Sequence, residues 1–121
     1  MASRTKYVDG FVIPIPKSKV AAYKKIASKA RKVWMKHGAL DYVEAVGDDL
    51  KVKGIKAFPE MSKCKPGQTV IFAWITYKSK AHRNAVNKKV MKDPWVANYD
   101  PSNHPFDSRM MAYGGFKALV S

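Results

Sequence analysis

A single glutamate on a predicted strand is the first candidate for acid–base chemistry. Glu44 shares one strand face with Leu40, Tyr42 and Val46. A carboxylate among apolar groups must be paired, hydrogen-bonded or neutralised. Glu44 is therefore a candidate catalytic acid in a pocket, and a structural pair with an arginine or lysine is the equal alternative.

A histidine at the start of a predicted helix is the second candidate. His82 falls in the first helical turn, where the positive end of the helix dipole favours a neutral imidazole. Such a ring could act as a catalytic base or bind a metal or haem iron, and a solvent-facing or capping role is the alternative. Asn87 follows five residues on, while Trp74 and Tyr77 precede it, so these three are candidate ligand-binding residues.

An irregular segment before the last predicted strand supplies the remaining candidates. It contains Asp107 as a candidate catalytic group, with Phe106 and Arg109 as candidate ligand-binding residues. Loops that carry an aromatic ring and both charges often line clefts. The alternative is a turn in which Asp107 bonds its own backbone and Arg109 is solvated.

The sequence predicts no metal site and no cofactor. His37, His82 and His104 lie on three different elements, and no paired His, Cys or carboxylate motif accompanies them. No glycine-rich loop matches a phosphate-binding or dinucleotide-binding fingerprint, because Gly114 and Gly115 lie inside a predicted strand.

Hydrophobic periodicity places these residues in an α+β fold. It predicts strands at residues 7–13, 39–46, 69–77 and 110–120, and helices at about 17–37 and 80–92. Pro14 and Pro16 are expected to end the first strand. A short edge segment is expected at residues 55–58 of the long connection, and residues 95–107 as a loop. The order predicts one ferredoxin-like βαββαβ domain, residues 1–121, with a four-stranded antiparallel sheet and both helices on one face.

The uncovered sheet face predicts a homodimer. Two helices cannot hide all the large side chains of the strands, which include Tyr42, Glu44, Phe72 and Trp74. An open apolar face on so small a protein indicates a partner surface. Pairing of two copies through the open sheet face is the economical solution, since twofold dimers are the commonest assembly.

The charge and the cysteine content indicate where the protein is located and what it contacts. The formal net charge is +14, and the residues that form the two predicted helices include many lysines and arginines. We expect non-specific contact with nucleic acid at low salt. Sheets of this topology that bind RNA use aromatic motifs on the open face, which this chain lacks. No apolar run approaches the roughly 20 residues needed to span a bilayer, and Cys64 is alone, so we expect a cytoplasmic protein without membrane association.

Several segments together resemble a known bacterial family. They are residues 7–12, 37–44, 77–83, 86–94, 105–110 and 113–117. This pattern is similar to the YbaA-like family, a domain of unknown function (number 1428) placed in the dimeric α/β-barrel superfamily. The resemblance covers nearly the whole chain and implies a dimeric α/β barrel. It implies no established activity, although the superfamily includes small cofactor-free oxygenases.

The residues and the resemblance together favour a dimer that binds or transforms a small apolar ligand in a pocket between sheet and helices. Haem binding is a variant that Asp9 argues against, because haem-degrading relatives place an asparagine there. A basic nucleic-acid-associated protein and a structural dimer without catalytic activity are the alternatives from other classes.

Overall fold

Four antiparallel strands form one sheet in the order β2-β3-β1-β4. The computed structural model describes residues 4–121, so the first three residues of the predicted domain lie outside the described part. The strands are β1 (Tyr7–Pro16), β2 (Asp41–Val46), β3 (Gln68–Tyr77) and β4 (Ala112–Lys117). The helices are α1 (Val20–Lys36), α2 (Phe58–Met61), α3 (Lys80–Lys92) and α4 (Pro94–Ala97). The order of the long elements confirms the predicted ferredoxin-like βαββαβ fold.

Both long helices cover the same sheet face. The register sets Phe11 of β1 opposite Ala73 of β3, so alternate residues of the two strands share a face. Ile75 and Tyr77 lie on that face and are buried together with Val33 of α1 and Val86 of α3. The core therefore lies between the sheet and the two helices, as the sequence predicts.

The first strand continues through its prolines, which the sequence analysis expected to end it. β1 runs to Pro16 and pairs with β3 along its whole length. Its pairing with β4 reaches only Val12. Beyond Val12 the strand has one neighbour, so a proline there can lack an N–H without losing a ladder hydrogen bond.

The prediction of a short edge segment at residues 55–58 is wrong. The connection instead contains the helix α2, which begins at Phe58 and has Pro59 in its first turn. Proline suits that position because the first helical N–H groups have no partner within the helix. The ring of Phe58 packs 5.8 Å from that of Phe72, so α2 lies against the open face of the sheet.

The last strand is shorter than predicted, and its glycines make a close approach. β4 ends at Lys117, and Gly114 and Gly115 pair in unbroken register with β1, which rules out a bulge at this point. A Cβ atom at Gly115 would lie 2.3 Å from the hydroxyl oxygen of Tyr7. The missing side chain therefore lets Tyr7 pass beneath the strand.

The large strand side chains that two helices cannot all cover are divided between the two faces of the sheet. Tyr42 and Glu44 of β2 pair with Ile75 and Ala73 and so face the helices. Phe72 and Trp74 lie on the open face, their rings 5.6 Å apart. The side-chain period of a strand is two, so Glu44 had to follow the face of Tyr42.

One buried carboxylate joins the ends of the two long helices. Asp93, just after α3, lies 2.8 Å from Nε2 of His37 and 3.4 Å from Nζ of Lys36. It also accepts a hydrogen bond from the backbone N–H of Trp95, which caps α4. The hydrogen bond with His37 is the main cause that lowers the pKa of Asp93. The carboxylate therefore fixes the start of the segment that follows α3.

Candidate ligand-binding cavity

A cavity of about 270 Å³ lies on the helix side of the sheet. Three parts of the chain form its walls. The sheet contributes Phe11, Ile13, Tyr42, Glu44, Ala73 and Ile75. The helix α1 contributes Tyr23, Ile26, Ala27, Ala30 and Trp34, and the segment after α3 contributes Trp95, Val96, Tyr99, His104, Phe106, Ser108 and Met111. Its size is near the lower end of small-molecule sites.

Small residues on facing elements account for the space. Ala27 and Ala30 lie on the stripe of α1 that faces the sheet, and Ala73 lies on β3 opposite them. Larger side chains at these three positions would fill the gap between helix and sheet. Trp95, Tyr99 and Phe106 place aromatic rings along a further side, so the lining of the cavity is almost entirely apolar.

Glu44 is the one acidic residue in the lining, and two tyrosines hold it. The hydroxyl of Tyr42 donates a hydrogen bond to Oε2 at 2.7 Å, and the hydroxyl of Tyr23 donates to Oε1. Burial, reinforced by the charge of Glu44, raises the pKa of both tyrosines. Among the described residues, Glu44 forms no ion pair with a lysine, arginine or histidine. The two phenols thus solvate a carboxylate that faces an apolar space.

A second polar group lies in the segment that follows α3. The Tyr99 hydroxyl and Nδ1 of His104 are 2.8 Å apart, and the His104 ring stacks on Phe106 at 4.8 Å. Burial lowers the pKa of His104, so its imidazole is neutral at pH 7. A neutral imidazole can accept a proton or a hydrogen bond.

Two of the sequence-predicted site residues line the cavity, and a third supports it. Glu44 and Phe106 are in the lining. Asn87 lies behind it, where its Oδ1 accepts a hydrogen bond from Nε1 of Trp34 at 3.3 Å. This contact orients the indole, which does line the cavity.

His82 lies outside the cavity lining. Its Nδ1 accepts the backbone N–H of Lys78 at 2.9 Å, and its own backbone N–H donates to Oγ of Ser79, the N-cap of α3. Its ring meets the edge of Tyr77 at 5.8 Å. The structure therefore places His82 in the start of α3 and not beside Glu44.

Four other candidates also lie away from the cavity. Trp74 is on the opposite sheet face, and the fully buried Tyr77 is beneath the helices without entering the lining.

Asp107 forms an ion pair with its neighbour Arg109 at 3.0 Å and accepts a hydrogen bond from the backbone N–H of Arg109. The hydrogen bond from the Arg109 side chain lowers the pKa of Asp107. Glu44, His82, Asn87 and Asp107 are therefore not brought together as one cluster.

Four side chains that shape the cavity are not among the sequence-predicted site residues. Tyr23 and Trp34 lie inside the predicted helix of residues 17–37, where an aromatic residue by itself indicates core packing. Tyr99 and His104 belong to residues 95–107, which were expected to be a plain loop. The aromatic content of that segment was the available signal, since large rings in a connection usually bury against something.

Metal and membrane features are absent from the part of the chain that is described. No group of three His, Cys, Asp or Glu side chains among residues 4–121 is placed to hold a metal ion. In the same residues no helix has the length and apolar character of a membrane span.

This protein is a ferredoxin-like α+β domain with an apolar cavity between its sheet and helices. The profile of the family described as "Protein of unknown function (DUF1428)" matches residues 6–108. The chain belongs to this family. "Uncharacterized protein YbaA" of Escherichia coli (strain K12) is 39% identical over 115 residues, which cover 95% of this chain and 97% of that protein.

Two solved structures are similar in fold. An uncharacterized NIPSNAP domain protein from Burkholderia xenovorans has a TM-score of 0.56 at 13% identity, covering 94% of this chain and 95% of its own. A dimeric ferredoxin-like protein from an uncultured marine organism has a TM-score of 0.58 at 12% identity, covering 96% of this chain and 98% of its own. Identities this low support the fold alone.

Proposed function

We propose that this protein binds a small, largely apolar molecule in the cavity between α1, the sheet and residues 93–111. The observation that carries the proposal is an apolar space with one carboxylate, Glu44, held by two tyrosine hydroxyls. Apolar walls with few convergent polar groups are typical of small-molecule sites.

The polar groups suggest what part of the ligand is recognised. A carboxylate has about four acceptor sites, and the tyrosines occupy two of them at Glu44. An O–H or N–H group of the ligand fits the remaining capacity. Glu44 and the neutral His104 are also the candidate proton acceptors for any chemistry on the bound molecule. Binding is the function that the geometry supports best.

A fluorescent dye tests the cavity. N-phenyl-1-naphthylamine is neutral and gains fluorescence in apolar sites. We expect the wild-type protein to bind it and Ala27→Phe, which fills the cavity, to lose at least about tenfold in affinity, equivalent to about 1.4 kcal/mol. Ala22→Phe, on the exposed side of the same helix, is the matched control and should bind normally. Equal binding by both variants would contradict the proposal.

We also propose that two copies pair through the open sheet face, in the cytoplasm. Phe72 and Phe116 leave 43% and 61% of their surface exposed there. Contiguous apolar surface on a small protein usually marks an interface. A similar solved structure is described as dimeric, which supports pairing without defining its geometry.

A further inference from the structure

A groove of about 380 Å³ lies between α1 and the edge strand β2, next to the cavity. The groove and the cavity share Tyr23, Ala27, Tyr42 and Glu44 as lining residues. The two spaces therefore lie on either side of the same side chains. A ligand that spans both spaces must pass beside these four side chains.

Two cations line the groove on the helix side. Lys24 and Arg31 are seven residues apart, which is two helical turns, and both belong to the groove lining. Nε of Arg31 donates to the backbone oxygen of Tyr42 at 3.2 Å. This bond holds the guanidinium against β2 and leaves its other N–H groups for another partner.

The charges of the groove are not balanced within the protein. Neither Lys24 nor Arg31 forms an ion pair in the described part of the chain. Among residues 4–121, Glu44 is the only acidic residue in the groove lining, and its oxygens already accept hydrogen bonds from the hydroxyls of Tyr23 and Tyr42. Two cations against one carboxylate leave a net positive charge beside an apolar cavity.

Building on the proposed function, we propose that the ligand is amphipathic and anionic. Its apolar body occupies the cavity, and a carboxylate, sulfonate or phosphate head group binds Lys24 and Arg31 in the groove. Both side chains are exposed to solvent, so the head group should contribute a modest selectivity of about tenfold.

A matched pair of dyes tests this inference. 8-Anilino-1-naphthalenesulfonate has the same N-phenylnaphthylamine body as N-phenyl-1-naphthylamine and adds one sulfonate. We expect the wild-type protein to bind the sulfonate about tenfold more tightly at physiological salt. The double variant Lys24→Gln/Arg31→Gln should lose this preference and keep its affinity for the neutral dye.

A second double variant separates a local site from the overall charge. Lys25→Gln/Lys29→Gln also removes two positive charges, but from exposed positions of α1 outside the groove. The preference for the sulfonate dye should survive in this variant. If both double variants lose the preference for the sulfonate dye equally, the inference is overturned, and the preference comes from general attraction by the net charge of +14. Equal wild-type affinity for the two dyes would overturn it as well, while the cavity proposal stands. Failure of both dyes to bind would overturn the cavity proposal itself, and this inference with it.

Discussion

At the scale of single residues, Glu44 links α1 to the sheet. It lies on β2, and it accepts hydrogen bonds from Tyr23 of α1 and from Tyr42 of its own strand. A charged acceptor strengthens such bonds. Loss of one phenol leaves a half-buried carboxylate with fewer donors, which costs more than loss of an exposed hydroxyl.

We therefore expect Tyr42→Phe to lower the free energy of unfolding by about 1.5–3 kcal/mol, measured by urea denaturation. Ser28→Ala is the control, since Ser28 is exposed and its hydroxyl donates to the backbone oxygen of Lys24 in the same helix. The control should change stability by less than about 0.5 kcal/mol. Equal losses in the two variants would argue against the special role of the Glu44 contacts.

The sequence pattern identified some of the residues of the cavity. Glu44 stood out because a carboxylate on an apolar strand face needs partners, and the structure supplies them in Tyr23 and Tyr42. His104 did not stand out, because the contacts of its side chain depend on how residues 93–111 fold back over α1. That path is set by tertiary packing, which local periodicity does not encode.

At the scale of elements, Asp93 holds the ends of α1 and α3 together. Its pKa lies below the ordinary value of 3.8, chiefly because of the hydrogen bond with His37. A carboxylate with a lowered pKa stabilises the fold fully above the unfolded-state pKa. That contribution is lost as the pH falls through the lower, folded-state value.

We expect Asp93→Asn to melt below the wild-type protein at pH 6, and the difference in melting temperature to shrink as the pH falls below about 3.8. Differential scanning fluorimetry across pH 2.5–7 measures this. Asp107→Asn should shift the melting temperature little at any pH, because its partner Arg109 has a 90% exposed side chain. If the difference in melting temperature between Asp93→Asn and the wild-type protein stays constant with pH, ionisation of Asp93 does not contribute to stability.

The long elements were predictable because their periodicity is strong and their ends carry known stop residues. Gly38 adopts a φ of 111° just beyond α1, and Ser79 caps α3 through the N–H of His82. The prolines of β1 misled the prediction, because whether a proline breaks a strand depends on whether a neighbour pairs there. That information lies in β4, about 100 residues away in the sequence.

At the scale of the whole molecule, the open sheet face is the surface for which a second copy is proposed. Phe116 is 61% exposed on this face. Its ring lies over Gly10 of β1, 3.4 Å from where a Cβ atom would stand if that residue had one. A charge placed at such a site would be buried and unpaired in a dimer. The same charge would cost little in a monomer.

We expect light scattering after gel filtration to give twice the chain mass of 13.6 kDa for the wild-type protein. Phe116→Asp should give the monomer mass. Met91→Asp is the matched control, because Met91 is 60% exposed on α3 and away from the sheet. A wild-type monomer, or a dimer that survives Phe116→Asp, would show that this face does not mediate pairing.

Methyl NMR can show where an apolar molecule binds in this protein. N-phenyl-1-naphthylamine added to methyl-labelled protein should shift the signals of Ile13, Ile75 and Val96, which line the cavity. The methyl groups of Val12 and Val43, on the open sheet face, should stay unchanged. Shifts confined to Val12 and Val43 would place the dye on the exposed sheet and contradict the cavity as the binding site.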